Sequence, residues 1–122
     1  EDSAPASLPL EIYESAERGE LQRLVKWVGK GGQVDALCST TSKSGEPATF
    51  GLLHVAAAHD HLEMVRELLK RGASVNLQTH LGTTALMKAA GNDHPSIVLV
   101  LLQHSASIDL QDTNGLTALM GA

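Results

Sequence analysis

Lys70 to Thr84 reads KRGASVNLQTHLGTT, and Gln103 to Thr117 reads QHSASIDLQDTNGLT. Superposed, the two stretches keep Ala73 over Ala106, Leu77 over Leu110, Gln78 over Gln111, Gly82 over Gly115 and Thr84 over Thr117, at a constant step of 33 residues. The same step separates Leu53, Leu86 and Leu119, and likewise Ala56, Ala89 and Ala122. It also joins Val65 to Val98, Leu68 to Leu101, Leu69 to Leu102, Val75 to Ile108 and Asn76 to Asp109. A period between about 20 and 50 residues marks supersecondary units that bury their apolar faces only against each other.

Each unit has a readable interior. Gly82 and Thr84, and then Gly115 and Thr117, mark turns. ALMKAA (Ala85 to Ala90) reads as a short helix with alanines on one side, and PSIVLVLLQH (Pro95 to His104) as a second helix. Pro95 suits a first helical turn, where no backbone N–H is needed. Asp60 and Asp93 stand at the joints between helices, where a left-handed residue or a cap is useful. Gly72 is the expected exit from the second helix.

The first forty residues join the pattern at a different offset. AERGELQRLVKWVGKGGQVDA (Ala16 to Ala36) aligns with AAHDHLEMVRELLKRGASVNL (Ala57 to Leu77) at a step of 41. Leu24 then lies over Val65, Trp27 over Leu68, Val28 over Leu69 and Gly31 over Gly72. The surplus of eight residues falls in LCSTTSKSGEPATF (Leu37 to Phe50). That segment has no helical period and is expected to form a long turn, an expanded version of the hairpin between units. The expected layout is a disordered tail at 1–8, units at about 9–36, 51–78 and 79–111, a partial unit at 112–122, and the inserted loop at 37–50.

Composition agrees with thin helical layers. Only Tyr13, Trp27 and Phe50 are aromatic, so the core must be built from Ala, Leu and Val instead of large rings. Leu53, Leu68, Leu69, Leu86, Leu101 and Leu102 are expected to be buried. The longest apolar run, Ile97 to Leu102, falls far short of the ~20 residues of a spanning helix. The first residues, EDSAPASLP, lack the basic and apolar regions of a signal peptide. A single cysteine, Cys38, cannot form an internal disulfide, which points to a reducing compartment.

The pattern resembles the ankyrin repeat. The matching residues are GLLHVAA (Gly51 to Ala57) with HLEMVRELLKRGASVN (His61 to Asn76), GTTALMKAA (Gly82 to Ala90) with IVLVLLQHSASID (Ile97 to Asp109), and GLTALMGA (Gly115 to Ala122). The resemblance covers about Leu10 to Ala122 and implies an all-α solenoid of helix-turn-helix units with projecting β-turn fingers. The signature proline is replaced by Leu52, Ala85 and Ala118, and the signature histidine survives only as His54, with Met87 and Met120 in its place. The Thr/His hydrogen-bond network of the family is therefore expected to be thinner here, with methionine as adaptable filling. LTALMGA is not a polar terminal cap, so the chain is expected to be the N-terminal part of something longer. The first unit, with Glu14, Glu17, Arg18, Gln22, Arg23 and Lys26, has the polar exterior of a cap.

Chemistry is sparse. HDH (His59 to His61) is the tightest histidine cluster, but structural zinc wants four ligands, usually with paired cysteines. No metal and no cofactor are expected. Cys38 lies in a Ser/Thr-rich segment with no orienting partner implied and is expected to be an exposed spectator thiol. GKGG (Gly29 to Gly32) follows a helix instead of opening one, so it is a helix exit and not a phosphate loop. DTNG (Asp112 to Gly115) lacks the first oxygen ligand of a calcium loop, because Leu110 stands there. Ser39, Thr40, Thr41, Ser42 and Ser44 are phosphorylation candidates, although a tolerated insertion is the favoured reading of the segment. No catalytic constellation appears, and the chain is not expected to be an enzyme.

The net charge is −5 and the nine basic residues are scattered. Nucleic acid is therefore not an expected partner. Glu1, Asp2, Glu11, Glu14, Glu17 and Glu20 crowd the first twenty positions, a solvated face or a dock for a basic partner. The resemblance implies that selectivity lies in the fingers and on the open side of the first helices. Candidate partner contacts are Thr79, His80, Leu81 and Thr83 in one finger, Asp112, Thr113, Asn114 and Leu116 in the next, and Lys88, Asn92 and His59 in the groove. The implied function is a protein-protein interaction module that binds a partner peptide or domain. A ligand-sensing regulatory domain of an enzyme is the alternative, weakened because Lys88 is the sole groove cation. A monomer is expected, cytoplasmic or nuclear and not inserted in a membrane, with the uncapped last half-unit able to self-associate.

Overall fold

The repeat in the sequence becomes a repeat of helix pairs. In the computed structural model, which describes residues 9–41, 45 and 47–118, α1 (Leu10–Glu17) pairs with α2 (Leu21–Gly29), α3 (Leu52–Ala58) with α4 (Leu62–Lys70), and α5 (Ala85–Gly91) with α6 (Pro95–Gln103). Layers stack through α1 on α3, α3 on α5, and α4 on α6. The expected tail at 1–8, Ser42 to Ser44, and Leu119 to Ala122 lie outside the described residues, as do the side chains of Ser39, Thr40 and Thr41. No helix among the described residues is long and apolar enough to cross a membrane.

The same backbone solution recurs at each joint. Gly19, Asp60 and Asp93 adopt φ of 74°, 59° and 60° between the two helices of successive units. Gly31, Gly72 and Ser105 adopt φ of 104°, 95° and 69° just after the second helices. Left-handed backbone is easy for glycine and tolerable for a short polar residue. Pro95 opens α6 at its first position, as its missing N–H permits.

Hydrogen bonds between layers repeat in register as well. His61 Nε2 lies 2.8 Å from the Glu17 carbonyl and His94 Nε2 lies 3.0 Å from the Ala58 carbonyl. A carbonyl only accepts, so both rings carry their proton on Nε2 and donate across the layer boundary. Ser74 N–H donates to Asp35 Oδ1 at 2.8 Å, and one layer on Ser107 N–H donates to Asn76 Oδ1 at 2.7 Å. The histidines at 61 and 94 are thus structural struts, and among the described residues no three His, Cys, Asp or Glu side chains form a metal-binding group.

Core burial separates the two faces of a layer. Leu53, Met64 and Leu68 of the second layer are buried, and so are Leu86, Ile97 and Leu101 at the same positions of the third. These positions face the preceding layer. Ala57, Val65 and Leu69 are also buried, under the third layer. Their equivalents Ala90, Val98 and Leu102 face the following layer and are partly or largely open. Leu102, expected to be buried, is 41% exposed for this reason. The letters repeat, but the cover does not.

The segment expected to be a long turn, an expanded hairpin between units, is an antiparallel hairpin with two five-residue strands. β1 (Leu37–Thr41) and β2 (Pro47–Gly51) pair with Leu37 opposite Gly51 and Thr41 opposite Pro47. β-Branched threonines favour an extended backbone there. Cys38, expected to be exposed, is buried in the core cluster at 3% exposure. Burial raises its thiol pKa above the ordinary value, and Glu14 and Glu17 push the same way. A protonated buried thiol is a poor nucleophile.

Candidate interaction surface

The fingers after the second and third layers are one structure built twice. Thr79 N–H donates to the Thr83 carbonyl at 2.9 Å, and Asp112 N–H to the Leu116 carbonyl at 2.9 Å. Inside each loop one side chain binds the backbone. Thr79 Oγ1 accepts from the N–H groups of Leu81 and Thr83, both at 3.2 Å. Asp112 Oδ1 accepts from those of Asn114 and Leu116 at 2.8 and 2.9 Å. A hydroxyl and a carboxylate do the same work because only an acceptor is needed. Thr79, expected to contact a partner, is therefore buried and turned inward.

Neighbouring fingers are tied side by side. His80 Nδ1 accepts from the Thr49 N–H at 3.1 Å, and Thr49 Oγ1 accepts from the His80 N–H at 3.1 Å. This joins β2 to the next finger. Thr113 N–H donates to the Leu81 carbonyl at 2.8 Å, which joins that finger to the one after it. Gln78 Nε2 reaches the Gly82 carbonyl at 3.0 Å and the Gln111 carbonyl at 3.3 Å.

At Gly82 the backbone of one finger packs against that of the next. The φ of Gly82 is +77°, and a Cβ there would lie 2.8 Å from the Asp112 Cα. Gly115 has the same φ of +77° but no atom within 4 Å of that Cβ position. Gly115→Ala should therefore cost only the left-handed backbone term, about 1–2 kcal/mol. Gly82→Ala should cost more, because backbone must move. Thermal unfolding of both variants checks this, with the larger drop in Tm expected for Gly82→Ala.

Leu81 and Leu116 stand at the finger tips, 49% and 47% exposed. Between α5 and the third finger lies a depression of about 280 Å³, lined by Thr83, Met87, Lys88, Gly91, Asn92, Asp112, Leu116 and Thr117. Five of the residues singled out in the sequence thus converge: Thr83, Lys88, Asn92, Asp112 and Leu116. Lys88 Nζ sits 5.2 Å from the centroid of the Phe50 ring, and Tyr13 lies 6.4 Å from the same ring. A cation over an aromatic face is held by the ring quadrupole. Asn92 Nδ2 donates to the Lys88 carbonyl at 2.8 Å. His59 is exposed, its ring 6.1 Å from that of His61. Thr113 and Asn114 are exposed but do not line the depression.

Sequence reasoning did not single out Tyr13, Phe50, Met87 or Gly91 for this surface. Tyr13 and Met87 share one repeat position with His54, which was the available signal. Among the described residues every buried side-chain polar atom has a hydrogen-bond partner.

Comparison with known proteins agrees with this architecture. The family model for ankyrin repeats (3 copies) matches residues 53–122. A relative named as the probable E3 ubiquitin-protein ligase XBOS33 of Oryza sativa subsp. japonica is 40% identical over 74 residues, which is 56% of this chain and 14% of that protein. The chain spans a small part of the length of that relative. With the family model covering more than half of the chain over the same units that stack in the structure, the chain belongs to the ankyrin-repeat family.

Proposed function

We propose that this domain is the partner-selecting part of a longer protein, holding a peptide or domain of another protein across its fingers and the depression beside α5. Ankyrin repeats in general bind other proteins. The observation that carries the reading here is the pairing of two exposed leucines, Leu81 and Leu116, with a depression that one of them lines. Large apolar side chains on a hydrogen-bonded turn can anchor a partner at little cost in ordering. The resident cation, Lys88, is held over Phe50 and would select an acidic group beside an apolar one. No catalytic role is assigned to any residue.

The test starts from a partner identified by cross-linking in the full-length protein. Leu81→Ala with Leu116→Ala should weaken that partner at least tenfold, with Tm unchanged within about 2 °C because neither side chain is in the core. Lys88→Met should weaken it further, and less so at high salt. Unaltered affinity with all three substitutions in place would remove this surface from consideration.

A further inference from the structure

A second depression, of about 300 Å³, opens on the first layer and is lined by Ile12, Arg23, Lys26, Trp27 and Lys30. One unit later the positions of Ile12, Arg23 and Trp27 hold Leu53, Met64 and Leu68, all buried against the preceding layer. The first layer thus carries a cationic, half-apolar pocket on the face where later layers carry core.

Trp27 is fixed in this pocket. A Cβ on Gly32 would lie 2.4 Å from the indole, so only glycine lets the backbone rest on the ring. The ring remains half-buried and lines the depression.

Lys26 stands in the last turn of α2 and Lys30 at its C-cap, where the negative end of the helix favours cations, and the carboxylates nearby serve Arg23 instead of these two. Arg23 has carboxylates nearby, with Glu20 at 3.8 Å and Glu11 at 4.0 Å. Among the described residues no carboxylate forms an ion pair with Lys26 or Lys30. One unit later the same two positions hold Glu67 and Arg71, paired at 2.6 Å. The repeat that places opposite charges four residues apart in the second layer places like charges there in the first. Like charges at that spacing are unfavourable. Long cationic side chains can shield an apolar end by their stems and the helix end attracts them, but neither neutralises two ammonium groups as a carboxylate would.

We infer that this pocket binds a small organic phosphate, with a planar ring against Trp27 and the phosphate between Lys26 and Lys30. A phosphate monoester carries nearly two negative charges at neutral pH, which matches two ammonium groups that form no ion pair among the described residues. Aromatic faces bind planar rings by stacking. The volume suits a small ligand, and the chain's net charge of −5 disfavours a long polyanion. The site lies apart from the finger surface and does not depend on the reading given for it.

Trp27 is the sole tryptophan of the chain, so indole fluorescence reports on this pocket alone. Titration with adenosine monophosphate as the probe should give saturable quenching. Adenosine and inorganic phosphate, each lacking one half of the pattern, should bind at least tenfold more weakly. Lys26→Glu with Lys30→Glu should abolish the response, Lys26→Gln with Lys30→Gln should weaken it at least tenfold, and the double arginine variant should retain it. Circular dichroism checks that each variant is folded. Absence of saturable quenching, equal quenching by adenosine, or an undiminished response in the folded glutamine variant overturns the assignment.

Discussion

Replacing Leu68 with alanine is expected to lower the unfolding free energy by about 2–5 kcal/mol. Leu68 is 1% exposed and sits on the face of α4 turned to the first layer. Its backbone is fixed at the same time, because its carbonyl accepts from both Arg71 and Ala73 as the helix ends. The neighbouring helices cannot collapse into the vacated space without disturbing those repeated joints, so the upper half of the range is expected. Urea denaturation checks it, with a lower midpoint and an unchanged slope. The informative comparison is Leu102→Ala. Leu69 and Leu102 occupy the same position of the repeat, yet one is 9% and the other 41% exposed. Leu102→Ala should cost no more than about 1 kcal/mol. A cost equal to that of Leu68→Ala, together with a midpoint that rises with protein concentration, would mean that copies of the chain cover this face in solution.

That contrast shows what the sequence could and could not convey. Register was legible, because core leucines, left-handed joints and inter-layer hydrogen bonds all recur at the step of the repeat. The environment of each copy was not, because Leu69 is buried under the third layer while Leu102, at the same repeat position, stays 41% exposed among the described residues. The paired strands of the hairpin at 37–51, read only as a long turn, escaped for a different reason. A short two-stranded element is set by cross-strand pairing, such as Cys38 opposite Phe50, and such pairing leaves no helical period to read. At the finger tips the difficulty was direction. Nothing in the letters says that Thr79 folds back onto its own backbone while Leu81 stays in solvent. Either could have served as a contact. The loop geometry decides, since a polar acceptor inside the turn is required and an apolar side chain cannot supply it.

His54 should make stability depend on pH. Its ring is 1% exposed. Nδ1 accepts from the Gly51 N–H at 3.0 Å, which leaves Nε2 to donate to the Leu77 carbonyl at 2.9 Å. The neutral ring with its proton on Nε2 therefore satisfies both ends, and a doubly protonated ring would turn a donor against the Gly51 N–H. Burial is the main cause that lowers its pKa from the ordinary 6.5, against smaller raising effects of the backbone at Leu77 and Thr83. The unfolded chain then binds a proton more readily than the folded one. Stability from this group is complete above about pH 6.5 and is lost as pH falls from there toward the depressed folded value. His54→Ala should cost about 2–4 kcal/mol at pH 8, because two backbone groups lose their partner. His54→Asn should cost less, since its amide oxygen can still accept from Gly51. Every other group is common to both proteins, so the decisive quantity is the difference between wild type and His54→Asn. Urea midpoints measured from pH 8 to pH 5 should converge as the pH drops. Parallel curves would mean that the ring accepts a second proton without loss, and the strut between α3 and the turn at Leu77 would then have to be held by something other than this hydrogen-bond pair.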